Sequence, residues 1–130
     1  MKNQLTVFPA IFTFDGKYYT VDFIDLKGCS TFGDSIQNAY SMAQEAMGLF
    51  LDNLTNFPKP TLDISNVVLQ KNQLVSFVSI DMDEYRRKFN NKSIKKTLTI
   101  PEWLNYLSEK NNINFSQVLQ EALKEKLGID

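Results

Sequence analysis

Few side chains in this 130-residue sequence could carry out covalent or acid–base chemistry. Histidine is absent, which excludes imidazole-based catalysis and histidine-bound metals. Cys29 has no histidine to activate it, so a small buried hydrophobe is the better interpretation than a nucleophile. A two-metal nuclease would need several carboxylates that converge on one site, and Asp22, on an expected strand, has no convincing partners. The sequence therefore predicts a protein that is not an enzyme and needs no cofactor or metal.

Charge divides the chain into two parts. Up to Tyr85 there are five Lys and ten Asp or Glu, for a net charge of −5, whereas from Arg86 onward nine Lys or Arg face five acids, for a net charge of +4. Six cations and no acid lie between Glu84 and Glu102. The overall net charge of −1 argues against a generally basic nucleic-acid-binding protein. We therefore expect the two parts to have different partners.

Residues 95–100 predict a short strand with two different faces. Side chains alternate across a strand. Lys95, Thr97 and Thr99 therefore share one face, and Leu98 and Ile100 share the other. A lone strand leaves a row of backbone groups unpaired. This segment therefore needs a neighbouring strand.

Two amphipathic helices follow the strand. Pro101 suits the first turn of the first helix, and the Asn111-Asn112 pair ends it. Asn114 can cap the second helix, with Gln117 completing a capping box, before Gly128 closes it. The apolar positions of the two helices are Trp103, Leu104, Leu107, Phe115, Val118, Leu119, Ala122, Leu123 and Leu127. Since two helices and one strand cannot bury this surface, the pattern predicts a twofold dimer whose strands pair antiparallel.

The segment K-K-T-L-T-I-P-x-W-L, followed by I-N-F-S-x-V-L-Q-E-A-L, resembles a ribbon-helix-helix DNA-binding domain. In that family the paired strands enter the major groove of double-stranded DNA. The resemblance implies that Lys95, Thr97 and Thr99 read base edges. The basic run 86–96, which includes Lys96, would contact phosphates. The amides of Asn114, Phe115 and Ser116 at the helix start would hold a further phosphate.

The earlier part of the chain predicts an antiparallel sheet with one main helix. Strand-like residues 4–14 are joined to residues 18–24 by Asp15-Gly16, a strong hairpin signal. A third strand is expected at Cys29–Phe32, then a helix capped by Asp34 or Ser35 that runs to about Asn53. Further strands are expected at Val67–Leu69 and Leu74–Ile80, and a short helix from Asp81 to Phe89. With no signal-peptide pattern and no apolar run of membrane-span length, we expect a cytoplasmic protein without membrane contact.

The motifs F-P-A-I-F, D-G-K-Y-Y-T-V-D-F-I-D-L-K-G-C-S-T-F-G-D-S, A-x-x-x-A-x-E-A-M and F-P-K-P-T resemble the amino-terminal domain of HicB antitoxins. The resemblance implies an α+β protein. It would have an incomplete ribonuclease-H-like toxin-binding domain at residues 1–85, a linker at 86–93, and a ribbon-helix-helix DNA-binding and dimerisation domain at 94–130. Ile24 departs from the family, which often has proline before Asp25-Leu26. Such an antitoxin neutralises a small basic mRNA-cleaving toxin, HicA, and represses its own operon by binding operator DNA.

Glu45 is the residue that we expect to face the toxin. It lies roughly opposite Ile36 on the helical wheel, away from the apolar stripe, so it could meet a catalytic histidine or a basic patch on the toxin. A solvated helix carboxylate explains it equally well. Asp22 and Asp25 are weaker toxin-binding candidates, because a turn explains Asp25. The alternative function is a solitary ribbon-helix-helix repressor whose first domain senses a small ligand.

Overall fold

The computed structural model describes residues 5–89 and 92–129. These two ranges form two compact units, called here the first and the second unit. Over these residues the fold is mixed α+β, with four strands and four helices. The strands are β1 (Leu5–Phe14), β2 (Tyr19–Phe23), β3 (Ser30–Gly33) and β4 (Gln73–Asp81). The helices are α1 (Ile36–Asp52), α2 (Met82–Phe89), α3 (Glu102–Lys110) and α4 (Phe115–Leu127).

The strands form one antiparallel sheet in the order β3-β2-β1-β4. The predicted hairpin between β1 and β2 is confirmed: the Asp15 carboxylate accepts hydrogen bonds from the amides of Lys17 and Tyr18, at 2.9 and 2.7 Å. These bonds lower the pKa of Asp15 below its usual value. Gly16 takes the positive φ, 99°, that the turn requires.

Helix α1 packs on one face of this sheet and forms the core with it. Ser35 caps the helix by accepting a hydrogen bond from the amide of Asn38 at 3.0 Å, so Ser35 rather than Asp34 is the cap. The alternate residues Phe8, Ala10 and Phe12 of β1 turn toward α1 because a strand has a period of two. The helix contributes the buried residues Ala39, Ala43, Met47, Gly48 and Leu51. The predicted sheet with one main helix is thus confirmed.

Two of the strands predicted in this unit need correction. Val67–Leu69 is not a strand: residues 61–70 contain only a turn, Val68 is 93% exposed, and no strand within residues 5–89 pairs with this segment. The third strand lies one residue later than predicted, at Ser30–Gly33. Helix α2 continues through Phe89, so it includes the first half of the predicted linker at 86–93. The predicted hinge at residues 90–93 lies partly outside the described residues.

The second unit contains the two predicted helices with the predicted ends. Asn114 caps α4 by accepting a hydrogen bond from the amide of Gln117 at 3.1 Å. The Gln117 side chain bonds to Glu121 instead, so only half of the capping box forms. After α3, Asn112 adopts φ 56°, and after α4, Gly128 adopts φ 70°, the left-handed conformation that ends a helix.

Among the residues that the structure describes, none forms a ladder with the predicted strand at residues 95–100. A ladder needs a neighbouring strand, and the predicted neighbour is the same segment of a second copy. All residues from 92 to 100 are exposed. The strand therefore stays a prediction.

Candidate functional site

Glu45 lies on the exposed side of α1, as the helical wheel predicts. The opposite side of the helix is held in the core by residues such as Ala43 and Met47, both fully buried. Two further side chains of α1 bind the backbone of Ser79 in β4. Tyr40 accepts from the Ser79 amide at 3.2 Å, and Gln44 donates to its carbonyl at 2.8 Å. These bonds fix α1 against the edge of the sheet, and so fix the position of Glu45.

An open groove lies beside Glu45, with a volume of about 370 Å³. We call it the Glu45 groove. It lies between α1, the end of β4 and α2, and its wall includes three carboxylates, Glu45, Asp81 and Glu84, and one cation, Lys88. The other lining residues are Leu5, Ser41, Gln44, Ser79, Ile80, Tyr85 and Phe89.

Helix α2 forms one wall of the groove because two features fix it in place. Its first turn is capped by Asp81, whose carboxylate accepts from the amides of Asp83 and Glu84 at 3.0 and 3.2 Å. Tyr85 packs directly over Gly48 of α1, where a Cβ would collide with the tyrosine ring. Burial, together with the nearby charges of Asp52 and Glu45, raises the pKa of the Tyr85 hydroxyl. The hydroxyl thus keeps its proton at neutral pH.

Asp22 and Asp25 lie elsewhere and do not line the Glu45 groove. The exposed carboxylate of Asp22 accepts a hydrogen bond from the Ser30 hydroxyl at 2.9 Å. Asp25 is half-buried, and its two oxygens accept from the amide and the hydroxyl of Thr61, each at 2.7 Å. Asp25 thereby ties the long connection before β4 to the turn after β2. The three residues predicted to bind toxin therefore do not form one site.

The residues predicted to bind DNA lie in the second unit. Lys95, Lys96, Thr97 and Thr99 are all exposed. Asn114, Phe115 and Ser116 surround the start of α4 and are exposed too. The first amides of a helix lack an acceptor within it, so this start can bind an anion.

Both helices of the second unit expose their apolar side chains. Within residues 92–129 no residue is buried. Leu104, at 39%, is among the less exposed of the large apolar side chains, and Trp103 reaches 65%. The other exposed large apolar residues of this unit are Ile94, Leu98, Ile100, Tyr106, Leu107, Ile113, Phe115, Val118, Leu123 and Leu127. This unit therefore has no core of its own.

The described residues also bear on metal, thiol and membrane chemistry. Among residues 5–89 and 92–129, no group of three or more Cys, Asp or Glu side chains is arranged to hold a metal ion. Cys29 is buried in the core, and burial raises the pKa of its thiol to about 11. The same residues include no helix that is long and apolar enough to cross a membrane.

The sequence matches, over residues 8–122, the family model of a HicB-like antitoxin of bacterial toxin–antitoxin systems. The chain belongs to this family. The match reaches from within the first strand to within the last helix, so it includes most of both units. Membership suggests a regulatory role rather than a catalytic one.

Two solved structures resemble this antitoxin along most of its length. One is described as a toxin–antitoxin complex from Streptococcus pneumoniae; it is 29% identical, with coverage of 95% of this chain and 99% of that chain, and a TM-score of 0.56. The other is described as the antitoxin HicB3; it is 24% identical, with coverage of 93% and 97%, and a TM-score of 0.49. No protein of curated function matches the sequence.

Sequence reasoning predicted that Glu45 lies on the exposed side of α1 but did not predict the residues that surround it. Asp81, Glu84 and Phe89 line the groove beside Glu45 because α2 packs against α1, where Tyr85 lies over Gly48. One available signal was the spacing of Tyr85 and Phe89, which lie four residues apart and so share one face of α2. Nothing in the sequence indicated that this face lies beside Glu45.

Proposed function

We propose that this antitoxin binds and neutralises a HicA-like mRNA-cleaving toxin through residues 1–85 and, as a dimer, represses its own operon through residues 94–130. The observation that carries the proposal is the absence of any buried residue within 92–129, where both helices expose their apolar faces. A helix pair without a core is not stable alone in water. A second copy would supply the missing surface.

In the proposed dimer, residues 95–100 pair antiparallel with the same residues of the second copy, and four helices enclose one core. This is the ribbon-helix-helix architecture. Pairing would satisfy the backbone groups of the strand and bury Leu98 and Ile100, which are 58% and 42% exposed in the single chain. Full burial of an exposed side chain of this type is worth about 1.5–3 kcal/mol; each of these two would contribute less, because it is already partly covered.

The other face of the proposed ribbon would carry the DNA contacts. Lys95, Thr97 and Thr99 lie at alternate positions and would reach base edges in the major groove. Lys96 would contact the phosphate backbone with the rest of the basic run. The start of α4, at Asn114, Phe115 and Ser116, would bind one further phosphate. Each contact occurs twice in a dimer, so an operator with twofold symmetry is expected.

The toxin would bind the first unit. Its sequence is acidic, with a net charge of −5 up to Tyr85, and opposite charge favours encounter with a basic protein. The similar structure from Streptococcus pneumoniae is described as a toxin–antitoxin complex, which supports a toxin as partner. Glu45 is exposed and lines the groove, and it remains our first candidate for a toxin contact. Asp22 and Asp25 are secondary, because each already has a partner within the chain.

Co-purification of the tagged protein from its native cells, at moderately high salt, tests the first half of the proposal. We expect one small basic protein in near-equal amount. Recovery of the dimer without any basic protein, from cells shown to express the neighbouring gene, would contradict the antitoxin role and favour a ligand-sensing repressor.

Binding to DNA from upstream of its own gene tests the second half. If Thr97 reads a base edge, Thr97→Ala should reduce discrimination at one base pair by about 1–3 kcal/mol. Ser93→Ala, in the exposed segment before the proposed ribbon, is the control and should leave discrimination unchanged. Equal binding of wild type and Thr97→Ala to every single-base variant would remove Thr97 from the base-reading face.

A further inference from the structure

The Glu45 groove combines negative charge with an exposed aromatic ring. Glu45 projects from α1 and Glu84 from α2, and both residues are exposed. Asp81 is occupied as the cap of α2. Lys88 is the one cation among the lining residues, against three carboxylates. The groove therefore favours a positively charged occupant and repels a phosphate or another anion.

The aromatic part of the groove consists of Tyr85 and Phe89. Their ring centroids are 4.9 Å apart, with planes inclined by 33°. Tyr85 is buried, whereas Phe89 is 49% exposed. The ammonium group of Lys88 lies 5.4 Å from the centroid of the Phe89 ring, within the range of a cation–π interaction. The Phe89 ring thus already interacts with one cation of the same chain, Lys88.

We propose that the Glu45 groove accepts an arginine side chain of the toxin, with its guanidinium on the Phe89 ring between Glu45 and Glu84, in place of Lys88. This inference rests on the proposed function, which supplies the basic partner. A planar guanidinium can stack on a ring while its five N–H donors reach two carboxylates. A lysine ammonium has no planar face to stack on the ring and only three donors, so it fits this arrangement less well.

Other occupants fit the groove less well. A divalent cation would need a group of ligands that residues 5–89 and 92–129 do not supply. A phosphate or a nucleic acid would be repelled by Glu45 and Glu84. An apolar ligand would leave these carboxylates facing a surface that cannot hydrogen bond to them.

Titration with two short peptides tests the groove without the toxin. The probes are acetyl-Gly-Arg-Gly-amide and the same peptide with citrulline, which keeps the shape of arginine but lacks its charge. We expect the arginine peptide to shift the backbone NMR signals of Glu45, Glu84 and Phe89 and to bind at least about fivefold more tightly than the citrulline peptide, since the difference is one charged contact. Equal binding of the two peptides, or shifts confined to residues outside the groove, would overturn the inference.

Three variants sharpen the titration. Glu84→Gln should weaken arginine-peptide binding by about threefold or more, as expected for a partly exposed charge pair. Lys88→Gln should strengthen it, because the competing cation is gone; a merely structural role of Lys88 could not have this effect. Asp83→Asn is the matched control, since Asp83 lies on α2 but does not line the groove. If Asp83→Asn weakened binding as much as Glu84→Gln, only the general charge of the domain would matter, and the inference would fail.

The same variants, assayed against the basic protein that co-purifies, separate this inference from the proposed function. Glu84→Gln should release that protein about tenfold more readily, while Asp83→Asn retains it. If wild type and Glu84→Gln hold it equally, the antitoxin role stands and the arginine site is wrong. If wild type holds no basic protein, the proposed function fails, and the peptide titration still decides whether the groove binds arginine.

Discussion

The two units of this chain form helices equally well but differ in what those helices pack against. Helix α1 is capped by Ser35, and α4 is capped by Asn114, each through a side chain that accepts an amide hydrogen bond. Yet α1 contains fully buried residues, whereas within residues 92–129 none is buried. Caps and periodicity therefore produce a helix, and only a second surface produces a core.

The difference follows from topology. In the first unit the chain returns to place β1 between β2 and β4, and this sheet offers α1 an apolar face that includes Phe8 and Val78. Within residues 92–129, the two helices and the segment before them offer no such buried face. The first unit can thus be stable as a single chain, while the stability of the second should depend on protein concentration.

The largest expected effect is on the core of the first unit. Phe8 is 1% exposed, so Phe8→Ala should lower the free energy of unfolding of this unit by about 3–5 kcal/mol through lost burial and a cavity. The single tryptophan, Trp103, lies in the second unit, so its fluorescence reports on that unit alone. In Phe8→Ala, we expect the midpoint of urea unfolding measured by far-UV circular dichroism to move to a lower urea concentration. The midpoint measured by Trp103 fluorescence should not change.

Leu49→Ala is the control for Phe8→Ala, because Leu49 is 61% exposed and should change stability by less than about 0.5 kcal/mol. A Trp103 transition that moves together with the dichroism in Phe8→Ala would show that the two units unfold as one, which would contradict the comparison.

The next effect concerns the proposed dimer. Leu123 is 52% exposed in the single chain, but in a dimer core Leu123→Asp would bury an unpaired charge and should prevent association. Light scattering should then give the monomer mass, and the Trp103 transition should be lost. Lys124→Asp, on a polar position of the same helix, should leave the dimer intact. A dimer that persists in Leu123→Asp would place the contact elsewhere.

The smallest effect separates two carboxylates within the first unit. Asp25→Ala removes two hydrogen bonds to half-buried Thr61 and should cost about 1–3 kcal/mol, because it leaves their donors without a partner. Asp22→Ala removes one exposed bond to Ser30 and should cost less. Limited proteolysis should cut the connection between α1 and β4 faster in Asp25→Ala than in Asp22→Ala. Equal cleavage of both variants would show that Asp25 does not hold this connection.

The sequence predicted most elements of the fold because their signals are local. The Asp15-Gly16 turn, the Ser35 and Asn114 caps and the left-handed Gly128 each depend on a few neighbouring residues. The prediction of a strand at Val67–Leu69 was wrong for the complementary reason. Its β-branched residues fit a strand, but a strand also needs a neighbour, and none lies beside exposed Val68.

The sequence predicted the exposure of one predicted site residue but not the surroundings of the others. The exposure of Glu45 followed from helical periodicity, which is a local property. The bond from Asp25 to Thr61 joins residues 36 positions apart, and no local pattern indicates such a contact. The roles of Lys95, Thr97 and Thr99 depend on pairing with a second copy and stay predictions.

The sequence by itself determined where the helices begin and end, which of their faces are apolar, and how charge divides the chain. These properties depend on residue type and on the fixed periods of helix and strand. Only the tertiary structure decided that α2 packs over Gly48, that Glu45 and Glu84 flank one groove, and that Asp25 ties a distant connection to the sheet. Each of these depends on contacts between residues that are far apart in the sequence. Local sequence patterns do not indicate which distant residues will come into contact.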